Sequence, residues 1–193
     1  MASVGTRRKR AKLNWSGQSS GVGAESVRPE ALQLARKYLE KAGDERARGL
    51  ASSSDAELLQ RLGAFGDDGL LTNAAWLLFV GTGHSVIEYR LRGGHKELRP
   101  GAELSVLEQL TLVLDVVRDN NPEVQMPDRV EEKTAPALSA LAAREAVVNG
   151  VAHWDWVATH ATEVEQEHRF GALRVRSPGG FVRGFGEYNI FSM

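Results

Sequence analysis

The 193-residue sequence contains no cysteine. That removes disulfides, thiolate nucleophiles and cysteine-ligated zinc together, and nothing then points to an oxidising compartment. No apolar run approaches the roughly 20 residues that a membrane span needs, and no signal-peptide core follows the N-terminus. A cytoplasmic protein with no membrane partner is the expectation. A Walker-type GxxxxGK[ST] is also missing. "GTGHS" at 81–85 has the glycines but not the lysine, which excludes a P-loop.

What is present is globular. Hydrophobic residues make up 42% of the chain, enough for one sizeable domain or one domain with an appendage. The formal net charge of -1 hides an asymmetry. Arg7, Arg8, Lys9, Arg10 and Lys12 lie together in "TRRKRAK", with no acid before Glu25. Such a tail can hold a nucleic-acid phosphate backbone or an acidic surface, or it can be a solvated extension. The remainder is mildly acidic, which argues against a broad nucleic-acid-binding face.

Residues 1–27 read as a basic, Gly/Ser-rich disordered tail, because "WSGQSSGVGAES" has no hydrophobic period. Residues 28–66 read as a helical segment. Pro29 and Gly43 bracket one helix, and Ser54 or Asp55 caps a second with Leu58, Leu59 and Leu62 inward. Residues 67–193 read as an α/β domain. "LLTNAAWLLFVG" suggests a buried helix capped by Thr72 or Asn73, although a buried strand fits its length too. "HSVIEYRLR" alternates as a half-packed strand, with Ile87, Tyr89 and Leu91 on one side. Leu107, Leu110, Leu114 and Val117 mark an amphipathic helix that Asn120, Asn121 and Pro122 stop. "EVQMPDRVEEKT" reads as extended, and "TEVEQEHRF" with "GALRVRSPGG" as a hairpin. The predicted class is α+β, with helices packed on a mixed β-sheet in two layers.

The chemistry concentrates in "REAVVNGVAHWDW", residues 144–156. At 100° per residue, Glu145 and Asn149 share a face with Leu138, Leu141, Val148 and Ala152, opposite Val147 and Val151. A carboxylate and an amide inside an apolar stripe cost free energy unless partners or a ligand satisfy them. In a Mg²⁺-nucleotide site, Glu145 would orient or deprotonate a water, and Asn149 would offer a neutral oxygen to the ion. His153, two turns on, could shape the same edge or serve only the helix dipole. The ExxxN spacing alone equally fits a helix with local hydrogen bonds. Trp154 and Trp156 read as packing anchors. "SPGG", Ser177 to Gly180, follows a strand, where paired glycines permit a tight turn or close backbone approach to a ligand.

The order of these pieces resembles a bacterial family of transcriptional regulators and helicase-related proteins. They join a Schlafen-type DNA-binding domain to a divergent GHKL-type ATP-binding domain. Its marks are a helix like "REAlvNAlvHRDY", then "SPGG" and an "eNi" segment, here "REAVVNGVAHWDW", "SPGG" and "YNI". "DDGLLTNAAWLLFVG" is similar to a further family element upstream. The likeness covers residues 28 to 193. It implies Glu145 as general base, Asn149 as Mg²⁺ ligand, and Ser177, Gly179 and Gly180 in the turn beneath ATP. Departures are "HWDW" for "HRDY", no adenine-binding aspartate before "SPGG", and no following glycine-rich segment before Met193. A shortened domain follows, with weak nucleotide binding and little or no turnover from this chain alone. The alternative expectation is a non-catalytic interaction or scaffold domain, whose open sheet edge favours a homo-oligomer.

Overall fold

The computed structural model describes residues 15–126, 133–154, 160–168 and 172–178. The chain divides into two compact units. One comprises the residues through His84 together with Gly101–Gln109, the other Ser85–Pro100 with the residues from Leu110 onward.

The first unit is helical. Helix α1, Pro29–Ala42, starts on a proline and ends at Gly43 in the left-handed region (φ 78°), as the sequence predicts. Helix α2, Glu45–Ala51, was not expected. Its signal was Asp44, whose carboxylate accepts the N–H of Ala47. Helix α3, Asp55–Arg61, is capped by Ser54, and helix α4, Asn73–Phe79, by Thr72. Arg36 ties α2 to α3, donating to the carbonyls of Ala51 and Ser53 and to the Asp55 carboxylate at 2.6–2.7 Å.

Two expectations change here. The core gathers Ala31, Leu32, Leu50, Leu58, Leu59, Leu71, Ala75 and Phe79, so α4 belongs with the helices before it. The division therefore falls after His84 rather than after residue 66. Residues 15–27 are not a loose tail either. Ser20 N donates to Leu71 O and Leu71 N to Val22 O, both at 2.8 Å, and Asn73 Nδ2 reaches Trp15 O at 2.9 Å. Backbone pairing holds this segment where hydrophobic periodicity is absent. Leu62, expected inward, is exposed.

Helix α5, Val106–Asp119, opens on a capping box. Glu108 N donates to Ser105 Oγ at 3.3 Å, and Ser105 N to Glu108 Oε2 at 2.9 Å. Arg28 grips the same carboxylate with two bonds, at 2.7 and 3.0 Å. Buried Gln109 gives its amide nitrogen to Thr82 Oγ1 and to the carbonyls of Leu104 and His84. The "GTGHS" loop is thus a laced structural turn. A side chain at Gly81 would lie 2.5 Å from the carbonyl oxygen of Glu103.

The second unit carries a four-stranded sheet ordered β2-β1-β5-β6. Its strands are β1, Ile87–Arg92, β2, Glu97–Leu98, β5, Thr162–Glu167, and β6, Leu173–Arg176. β1 and β5 run parallel, while β2 and β6 pair antiparallel outside them, the latter as the expected hairpin. β3, Glu123–Met126, and β4, Lys133–Pro136, form a separate antiparallel pair. Helix α6, Ala140–Ala152, follows, capped by Ser139. The fold is α+β, with helices on a mixed sheet, as predicted.

The two faces of the sheet differ in kind. Ile87, Tyr89, Leu91, Val164 and Gln166 are buried, as are Val113 and Val117 of α5 and Val147 and Val151 of α6. Tyr89 Oη donates to Gln166 Oε1 at 2.8 Å, and Gln166 Nε2 donates to Val117 O at 3.1 Å, fixing α5 to the sheet. Burial pushes the Tyr89 phenol up to about 12. The opposite face is charged. One row across all four strands reads Glu97, Arg90, Glu165, Arg174. Ion pairs join Arg90 to Glu97 at 3.1 Å and Arg174 to Glu165 at 3.6 Å.

Candidate functional site

Helix α6 has apolar residues all round, so its sequence leaves open which face packs. The structure buries the Val147 and Val151 side. Ala143, Val147 and Val151 are buried, whereas Leu141 is 66% exposed and Glu145, Asn149 and Ala152 are exposed beside it. Glu145 and Asn149 therefore avoid the desolvation cost expected of a buried stripe. They stand one turn apart on an open helix face, available to a ligand.

The C-terminal end of α6 is closely seated. Gly150 makes this possible, since a Cβ there would lie 2.5 Å from Val175 Cγ1 and 3.2 Å from Thr162 Cγ2. His153 is the C-cap residue, exposed, with its N–H donated to Asn149 O at 3.0 Å. Trp154 is buried and its indole N–H donates to His160 O at 3.0 Å, which makes it the anchor it was expected to be. Ser177 directly follows β6 and is half-buried, its Oγ 3.5 Å from Thr162 Oγ1. The same Thr162 oxygen is 3.5 Å from Gly150 O.

Four of the predicted residues are thereby placed. Glu145, Asn149 and His153 lie along α6, and Ser177 is linked to the end of that helix through Thr162. Gly179 and Gly180 lie outside the described residues, as do Arg7, Arg8, Lys9, Arg10 and Lys12, Asp155, Trp156 and the segment from 181 onward. Sequence reasoning missed Thr162 and Gly150. The glycine was the available signal, because one inside a helix often marks close packing.

On the exposed face of α6, Glu145 offers a carboxylate and Asn149 one neutral side-chain oxygen. Among the described residues, no group of three or more His, Cys, Asp or Glu side chains could hold a metal ion. Mg²⁺ takes few protein ligands and draws the rest from phosphate and water.

No protein-family model matches the chain, and no match was found among curated proteins. Among solved structures it is similar to the DIP2311 protein from Corynebacterium diphtheriae, known from a crystal structure. Identity is 30% and the TM-score 0.80, over 95% of this chain and 37% of that one. This chain thus spans little more than a third of the length of that protein, and the two share the fold. Among the described residues, no helix is long and apolar enough to cross a membrane.

Proposed function

We propose that the second unit is a GHKL-like, nucleotide-binding regulatory module that takes ATP with Mg²⁺, within a DNA-associated regulator, and turns over little on its own. The observation that carries this reading is the open face of α6. It offers Glu145 and Asn149 one turn apart on a helix whose end lies, through Thr162, near Ser177 directly after β6.

Asn149 supplies a neutral oxygen ligand, and Ser177 with the glycines after it supplies polar contacts to phosphate. Glu145 accepts a proton from, or orients, a water beside the terminal phosphate. Bound Mg²⁺ would contribute charge neutralisation at the phosphates. His153 borders the site as the C-cap residue.

Titration calorimetry with ATP, with and without Mg²⁺, tests the reading on this chain and on Asn149→Ala. The expected result is micromolar, Mg²⁺-dependent binding that the variant loses. Equal binding by both would remove Asn149 from the site, and no binding by either would remove the nucleotide.

The second reading is a non-catalytic scaffold that has lost its ligand and associates with a second copy, with exposed Leu141 on α6 as one apolar contact. Light scattering distinguishes it, since a monomer at every concentration contradicts association.

A further inference from the structure

We propose that Thr162 is a positioning residue of the nucleotide site, holding the Asn149 end of α6 at a set distance from the Ser177 turn. This rests on the nucleotide-binding reading above.

Thr162 opens β5 and is fully buried. Its backbone N–H donates to Val86 O at 2.8 Å, which anchors it beside the start of β1. A β-branched side chain in a strand has few rotamers, so hydroxyl and methyl are both held in place. The methyl lies against the helix where Gly150 leaves room, 3.2 Å from the position a Cβ would take. The hydroxyl lies 3.5 Å from Gly150 O and 3.5 Å from Ser177 Oγ.

One side chain therefore touches both halves of the proposed site. Gly150 follows Asn149 directly, so the height of Asn149 above the sheet is set where Thr162 meets the helix. Ser177, directly after β6, lies 3.5 Å from the same hydroxyl. A fully buried hydroxyl needs a hydrogen-bond partner, and its two oxygen neighbours both lie at 3.5 Å, beyond the roughly 2.5–3.0 Å usual between two oxygens. Each is therefore a weak contact that a small shift of the helix end or of Ser177 would strengthen or break. Removing the hydroxyl leaves Ser177 and the helix end without a common reference, while the methyl keeps the packing.

The test compares wild type, Thr162→Val, Thr162→Ser and Ser177→Ala by calorimetric titration with ATP and Mg²⁺, alongside thermal melts. Valine keeps the shape and removes the hydroxyl, and serine keeps the hydroxyl. The expected result is about tenfold weaker binding for Thr162→Val, the typical reach of one hydrogen bond, with near-normal binding restored in Thr162→Ser. Ser177→Ala, a change at a half-buried loop position, is expected to weaken binding similarly. Should Thr162→Val not fold, Thr162→Ala against Thr162→Ser carries the test, since that pair differs only in the hydroxyl. Wild-type binding with unchanged affinity in Thr162→Val, or in Ser177→Ala, overturns the positioning role and leaves the nucleotide reading standing. Absence of wild-type binding overturns both.

Discussion

A single carboxylate organises much of the first unit. Glu108 closes the capping box of α5 and receives the fork of Arg28. Burial alone would raise its pKa. The Arg28 guanidinium and the N–H and hydroxyl of Ser105 outweigh that and hold the carboxyl below its ordinary value. A depressed folded-state pKa contributes stability that is present above the unfolded value, near 4.5. That contribution is lost as pH falls through the folded value. Glu108→Gln is therefore expected to lower stability by about 1–2 kcal/mol at neutral pH. Denaturant melts across pH should show the gap to wild type closing in acid, and a gap that stays constant to the acid-unfolding limit would refute the charge as its source. Arg28 lies 80 residues away in sequence, so nothing local announced this pair. The capping box could have been read from "SVLE".

At the scale of the element, α6 is placed by its contact with the sheet. Alanine favours a helix over glycine by roughly 1 kcal/mol. At Gly150, however, the added methyl meets Val175 Cγ1 at 2.5 Å, and overpacking of this kind costs about 1–3 kcal/mol. Gly150→Ala is expected to destabilise by about 1 kcal/mol, and Val175→Ala in the same chain to recover most of it, a coupling that a double-mutant cycle measures. A Gly150→Ala protein more stable than wild type would mean that the close seating is absent. Elements with punctuation were legible in advance. Pro29 and Gly43 framed α1, Ser54 and Thr72 capped α3 and α4, and alternation located β1 and the β5–β6 hairpin. The orientation of α6 was not legible, because Leu141 and Val148 on one side and Val147 and Val151 on the other offer the core equally apolar faces. Packing onto β5 and β6 makes the choice, and no periodicity encodes it. Likewise Thr162 looked like any strand residue until the fold set it between Gly150 and Ser177.

For the whole molecule, charge is divided between a basic start and a mildly acidic remainder. Neutralising about five phosphates with Arg7, Arg8, Lys9, Arg10 and Lys12 gives log K falling against log salt with a slope of about -4.5, with little sequence preference. Filter binding across salt concentrations checks this, and a chain lacking residues 1–12 that still binds duplex DNA would exclude the tail as the contact. The division of the fold has a consequence for the order of synthesis. The first unit is completed only by Glu108 and Gln109, which reach it after β1 and β2 have been made. At 5–20 residues per second, the 80 residues between Arg28 and Glu108 take roughly 4 to 16 seconds to translate. Until then the growing chain presents its first helices to the cell without the clasp that closes them.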